Sequence, residues 1–136
     1  MRVSREMYTF VDNCYVNCNR HLICFRAAKE GVHFEQGWPN SAYATSKVLL
    51  SAVTPIQQRG FDKQRPGQYI VVNSVHPGYV DTDMTSHKGP LTIDEGAVAP
   101  VWAALLPPNV ESPRGGYIWR DTTVVDWVNG PLPGQY

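Results

Sequence analysis

Gln68-Tyr69-Ile70-Val71-Val72-Asn73-Ser74-Val75, running straight into His76-Pro77-Gly78, is the stretch that decides the fold. A short, near-continuous run of apolar and β-branched residues suits a strand buried on both faces, as in a parallel sheet. A half-solvated antiparallel strand would alternate apolar and polar residues instead. Pro77 and Gly78 end the run in a turn, and the strand is predicted over 68–76. Parallel strands need crossover connections, usually helices, and the flanking sequence supplies them. Upstream, the turn Gly37-Trp38-Pro39-Asn40 precedes a helix predicted over 41–59, with Asn40 or Ser41 as its cap. Apolar residues at 42, 49, 50, 53 and 56 would form its buried stripe. Pro55 lacks the donor for the carbonyl of Ser51, so a kink or an early end is expected there. Downstream, Thr92 or Asp94 opens a helix predicted over 92–106, stopped by Pro107-Pro108. Ala97, Val98, Val101, Trp102, Leu105 and Leu106 are its residues available for burial. A last strand is predicted over 116–120. Helix, strand, helix, strand predicts an α/β chain, half of a doubly wound parallel sheet.

The rest of the chain sets limits. With 136 residues there is room for one domain and one modest core, and 43% apolar residues suits a globular protein. Twelve basic and twelve acidic side chains cancel, which leaves no electrostatic case for nucleic acid or an anionic membrane. No apolar run has the length to span a bilayer. Asp12 and Asn13 break the stretch from Val11 to Val16, so no secretory leader is expected and the expected setting is cytoplasmic. Residues 1–24 show no strand period and stay unassigned. The best helical stretch near them runs over 21–29, with Gly31 as its stop signal.

Three cysteines, an odd number, make no disulfide framework. Cys14, Cys18 and His21 would share one helix face, which makes a small zinc site a rival reading. Cys24 would rotate off that face, and structural zinc sites usually draw two ligand pairs from separate turns. The simpler reading is a partly buried helix with small apolar cysteines, and no metal is expected.

The chemistry lies on the helix predicted over 41–59. Tyr43 and Lys47 are four residues apart, so their side chains share a face one turn apart. A free phenol is a poor proton donor or acceptor at neutral pH. A neighbouring ammonium favours the phenolate and brings the phenol toward the working range. Such a pair can hand a proton to a carbonyl oxygen while hydride reaches the carbonyl carbon. The spacing by itself is also common between ordinary surface neighbours.

Ser41-Ala42-Tyr43-Ala44-Thr45-Ser46-Lys47 resembles the active-site helix of the short-chain dehydrogenase/reductase family, in which small residues flank the tyrosine. Asn73-Ser74-Val75-His76-Pro77-Gly78-Tyr79-Val80-Asp81-Thr82-Asp83-Met84 resembles, in order and spacing, the strand and Pro-Gly loop that follow it in that family. Gly31-Val32-His33, the Gly37 to Tyr43 stretch and Ala104-Leu105-Leu106-Pro107-Pro108 are similar to the monomeric carbonyl reductase type.

The resemblance covers residues 25–127 and makes 25–136 the C-terminal part of a Rossmann-like doubly wound domain, incomplete in these residues. It implies NADPH-dependent reduction of a small-molecule ketone, aldehyde or quinone, in a full-length form that is monomeric. Tyr43 and Lys47 are then catalytic and also touch cofactor. Pro77, Gly78, Val80 and Thr82 are cofactor-binding, and Tyr79 lines the substrate pocket or is an ordinary packed aromatic.

Two departures matter. The family's catalytic serine and upstream asparagine have no match: Ser4 stands too near the tyrosine, and Ser41 points to another side of the helix. No glycine-rich strand-to-helix turn is present to hold a pyrophosphate. These residues alone are therefore expected to be inactive, and a non-catalytic fragment or small binding protein is the alternative.

Overall fold

In the computed structural model, residues 19–126 are described, with Gly130 and Pro133. The chain forms two compact units, Met1–Val53 and Thr54–Tyr136.

In the first unit, helix α1 spans Asn19–Lys29. Gly31, at φ 76°, ends it as the sequence suggested. Its N–H bonds the carbonyl of Ala28 at 3.2 Å, and that of Val32 reaches back to Ala27 at 2.9 Å. This is the Schellman pattern, which spends two carbonyls that the helix end would leave orphaned. The same pattern recurs at Gly37 (φ 81°), with Trp38 N–H on His33 O at 2.9 Å and Gly37 N–H on Phe34 O at 3.0 Å. Both left-handed turns need glycine.

Helix α2 spans Ala42–Gln64. Ser41 caps it: its Oγ accepts the N–H of Ala44 at 3.2 Å, and its carbonyl accepts Thr45 N–H. The helix neither stops near 59 nor breaks at Pro55. One missing donor is tolerable where the turn beyond is held by the buried Gln58 side chain, bonded to Ile70 O and Val72 N–H. The buried stripe also differs from expectation. Ala42 is exposed and Leu50 largely so, while Ala52, Thr54 and Gln58 are buried. In the second unit the reason is visible. A Cβ on Gly115 would come within 3.1 Å of Pro55 Cα and 3.2 Å of Gln58 Cβ, so backbone packs directly on that part of α2.

The second unit carries a three-stranded sheet in the order β1-β2-β3. Strand β1 (Ser74–Val75) pairs parallel with β2 (Tyr117–Ile118), and β2 pairs antiparallel with β3 (Val124–Val125). The sheet is mixed where a parallel one was expected. The regular ladder is also shorter than the 68–76 and 116–120 predicted. Tyr69 at φ 51° breaks the extended run, and among the described residues β1 has a neighbour on one edge only. The β2–β3 hairpin closes through Trp119 N–H to Thr123 O at 2.8 Å and Thr122 N–H to Trp119 O at 2.9 Å. Thr122, at φ 69°, takes the left-handed position of a three-residue hairpin loop.

Helix α3 spans Ile93–Ala104, with Thr92 as its cap. Thr92 Oγ1 accepts Glu95 N–H at 3.2 Å, and the Glu95 carboxylate accepts Thr92 N–H at 2.8 Å. Of the two starts that the sequence offered, Thr92 and Asp94, the helix uses Thr92, in a reciprocal capping box with Glu95. Contrary to expectation, the buried face is the small one, Gly96 and Ala99. Val98, Val101, Trp102 and Leu105 stay exposed. The core of this unit is Ala99, Ile118 and Val125.

Candidate active site

The first turns of α2 carry the two residues with proton chemistry. Lys47 Nζ sits 5.5 Å from the centroid of the Tyr43 ring, so the cation faces the electron-rich ring of its neighbour one turn earlier. Tyr43 is 65% exposed, leaving its phenol open to a partner. The Ser46 hydroxyl donates to Tyr43 O at 2.7 Å. Ser41, the hydroxyl nearest in sequence on the N-terminal side, is occupied as the helix cap.

In the other unit, Pro77, Gly78, Tyr79, Val80 and Thr82 follow the C-terminal end of β1 in one loop. Gly78, at φ 92°, donates its N–H to His76 Nδ1 at 3.1 Å. Val80 forms a parallel bridge with Leu91, through Asp81 N–H to Leu91 O at 2.8 Å and Leu91 N–H to Tyr79 O at 3.3 Å. Glycine is required on both sides of Val80. A Cβ on Gly89 would overlap the Val80–Asp81 peptide, and one on Gly96 would overlap the Val80 side chain.

Thr82 precedes a 3₁₀ turn, Asp83–Thr85. Its N–H donates to Thr85 Oγ1 at 3.0 Å, while Thr85 Oγ1 donates to Val80 O at 2.6 Å. His87 closes the loop between two carboxylates, with Nδ1 2.6 Å from Asp81 Oδ1 and Nε2 3.0 Å from Asp83 Oδ1. Tyr79 and Pro77 are exposed and Thr82 is half-buried. Each unit thus assembles its own set of candidate residues: Tyr43 and Lys47 in one, Pro77 through Thr82 in the other.

Several functional-looking residues were not foreseen. Gln58, 3% exposed, donates from Nε2 to Ile70 O at 2.9 Å and accepts Val72 N–H at 2.8 Å. It also donates to Asp62 Oδ1 at 2.8 Å. Arg114 pairs with the same carboxylate, and these two donors, Arg114 first, hold Asp62 below the usual carboxylate range. Asn73 donates to Pro113 O and accepts Gly116 N–H, each at 2.9 Å. His76 stacks on Trp119 with centroids 4.2 Å apart. Apart from the Gln58–Asp62 pair, four residues apart, nothing in the spacing of these residues announces their partners, which stand 12 to 52 residues away.

The metal reading falls mostly outside the described residues, which exclude Cys14, Cys18 and the His21 side chain. Cys24 is a free thiol whose pKa burial pushes up, disfavouring the thiolate that binds metal. Among the described residues no cluster of three or more metal-ligating side chains occurs, and no helix is long and apolar enough to cross a membrane. A cavity of about 600 Å³ is lined by Phe61, Arg65, Tyr69, Ile70, Val110 and Arg114, among others. Its walls precede β1 and β2, at the ends away from the Pro77–Thr82 loop. Asp62 and Glu111 there balance Arg65 and Arg114, so its charge selects no ligand.

No protein-family profile matches the chain. It is similar to curated proteins, among them mouse (Mus musculus) NADPH carbonyl reductase 1, at 43% identity over 99 residues. That match covers 73% of this chain and 35% of the mouse protein. Rat (Rattus norvegicus) NADPH carbonyl reductase 3 and human (Homo sapiens) NADPH carbonyl reductase 1 are each 42% identical over 99 residues, with the same coverage. The chain spans about a third of the length of these relatives.

Proposed function

We propose that this chain, which through its matched 99 residues belongs with the NADPH carbonyl reductases in the short-chain dehydrogenase/reductase family, carries the proton-donating and nicotinamide-facing part of such an enzyme. The reaction is reduction of a ketone, aldehyde or quinone to the alcohol. One observation carries the reading: an exposed tyrosine at the start of α2 with the Lys47 ammonium 5.5 Å from its ring.

Bound NADPH supplies the hydride. Tyr43 Oη gives its proton to the carbonyl oxygen as negative charge develops there, and the Lys47 charge stabilises the phenolate left behind. Lys47 has donors to spare for ribose hydroxyls. The half-buried Thr82 hydroxyl suits the cofactor's nicotinamide end, Pro77 and Gly78 shape the loop beneath it, and Tyr79 offers an aromatic wall to substrate. Val80 contributes through its fixed position between Gly89 and Gly96.

These residues fit one end of NADPH and not the other. No glycine-rich helix start is present for the pyrophosphate. The grip on the nucleotide is therefore assigned to residues beyond these 136, which would complete a doubly wound, Rossmann-like sheet on the free edge of β1. The 136 residues alone should then bind NADPH weakly and turn over nothing. The complete enzyme is read as a cytoplasmic monomer.

The test joins the chain to an upstream nucleotide-binding half and compares Tyr43→Phe with the parent on a simple quinone. Turnover should fall by about two to four orders of magnitude with NADPH affinity retained. Equal turnover would overturn the reading.

A further inference from the structure

His76 reaches the Pro77–Thr82 loop from the end of the sheet. Its backbone N–H donates to Ile118 O at 2.8 Å, which fixes the residue on the C-terminal end of β1. Its side chain turns back and accepts the Gly78 N–H on Nδ1 at 3.1 Å. An imidazole nitrogen accepts only when it carries no proton, so the bond requires the neutral Nε2–H tautomer. Trp119 holds the ring nearly parallel, 15° off plane at 4.2 Å, and Tyr117 meets it edge-on at 6.4 Å. Trp119 is itself fixed by the hairpin bonds to Thr122 and Thr123. One half-buried ring thus ties the sequence-distant β2–β3 hairpin to the Gly78 turn.

We infer that His76 is a positioning residue for the cofactor-facing loop: its neutral imidazole holds Gly78 in its left-handed turn, and adding a proton to Nδ1 releases the loop. The consequence for catalysis rests on the reading that this loop faces the nicotinamide. On protonation Nδ1 becomes a donor facing the Gly78 donor, and the Gly78 N–H loses its acceptor.

The surroundings oppose the proton. Burial works most strongly against the imidazolium, the backbone of His76 itself partly offsets it by hydrogen bonding, and the Arg120 charge adds to the opposition, so that the value lies below the ordinary imidazole one. On α3, which packs against β1, the acidic groups Asp94 and Glu95 lie in the first turn, with Glu95 engaged by the Thr92 cap. A lowered value keeps the loop in place at neutral pH and releases it only on the acid side. The stabilising contribution is full above the ordinary imidazole pKa and is lost as pH falls through the lowered one.

The experiment is nuclear magnetic resonance on the chain joined to the same upstream half, without nucleotide. The ring nitrogens of His76 should report the Nε2–H tautomer at pH 7.5. The Gly78 amide should shift on acidification with the midpoint of the His76 ring. His76→Asn keeps a local acceptor that does not titrate and should erase that midpoint at Gly78. His76→Phe keeps the stack, loses the acceptor, and should speed Gly78 amide exchange about five- to tenfold. A Gly78 amide that ignores the His76 titration, or that titrates identically in His76→Asn, would overturn the inference. Because no nucleotide is present, these outcomes are independent of whether Tyr43 proves catalytic.

Discussion

Lys47 is asked to do two things in the proposed site, and substitution can separate them from the work of Thr82. Lys47→Met removes the charge that steadies the Tyr43 phenolate and the donors that would hold ribose. Turnover and NADPH affinity should therefore fall together. Thr82→Ala removes one hydroxyl at the loop and should mainly raise KM for NADPH, leaving kcat nearly intact. Steady-state kinetics in the joined protein distinguishes the two patterns; a Thr82→Ala variant losing kcat alone would contradict the assigned roles. Both residues became candidates through local motifs that resemble those of the short-chain dehydrogenase/reductases. Tyr43 and Lys47 are one turn apart on a helix, and Thr82 follows a Pro-Gly turn. His76 was read only as part of that turn, since its partner Trp119 lies 43 residues away in sequence and no short-range spacing encodes such a stack.

Between elements, the Gln58 side chain does the work of a strand. Ile70 O and Val72 N–H lie on the edge of the extended run that faces β2, and the Gln58 amide binds both as a neighbouring residue of a parallel strand would. Gln58→Leu leaves that part-buried carbonyl and amide unpaired. A loss of about 2–4 kcal/mol is expected, from one unsatisfied group at each end of the pair. Urea denaturation of the joined protein would measure it, and a shift within error of zero would show water filling the gap. The types of α2, β1 and α3 were readable because apolar runs, capping residues and proline stops are local signals. Their extents were not. α2 passes Pro55 because Gln58 anchors the turn beyond it. β1 shrinks because Tyr69 turns left-handed and Gln58 takes up Ile70 O and Val72 N–H. The sign of burial on α3 reversed because the close approach at Val80 admits Gly96 and nothing larger.

Across the molecule, the described apolar surface exceeds what the described residues cover. Phe25 is 74% and Leu105 76% exposed. On α3, Val98, Val101, Trp102 and Leu105 form an exposed stripe with helical spacing, and among the described residues one edge of β1 has no strand beside it. Such surface favours association. The 136 residues alone should therefore elute from size-exclusion columns as oligomers or aggregates, whereas the joined protein should run as a monomer. A monodisperse monomer of the short chain would contradict this. The α/β class was legible from the order of elements, but neither the antiparallel β3 nor the outward stripe was: periodicity shows that a face is apolar, not which residues meet it. The Gln58 amide also bears on the order of assembly. It closes loops of 12 and 14 residues, whereas the Asn73 bonds to the β2 approach close loops of 40 and 43. Shorter loops cost less chain entropy, so α2 should dock on the β1 segment before β2 arrives. In stopped-flow refolding of the joined protein, Gln58→Leu should slow folding, while Asn73→Ala should mainly speed unfolding.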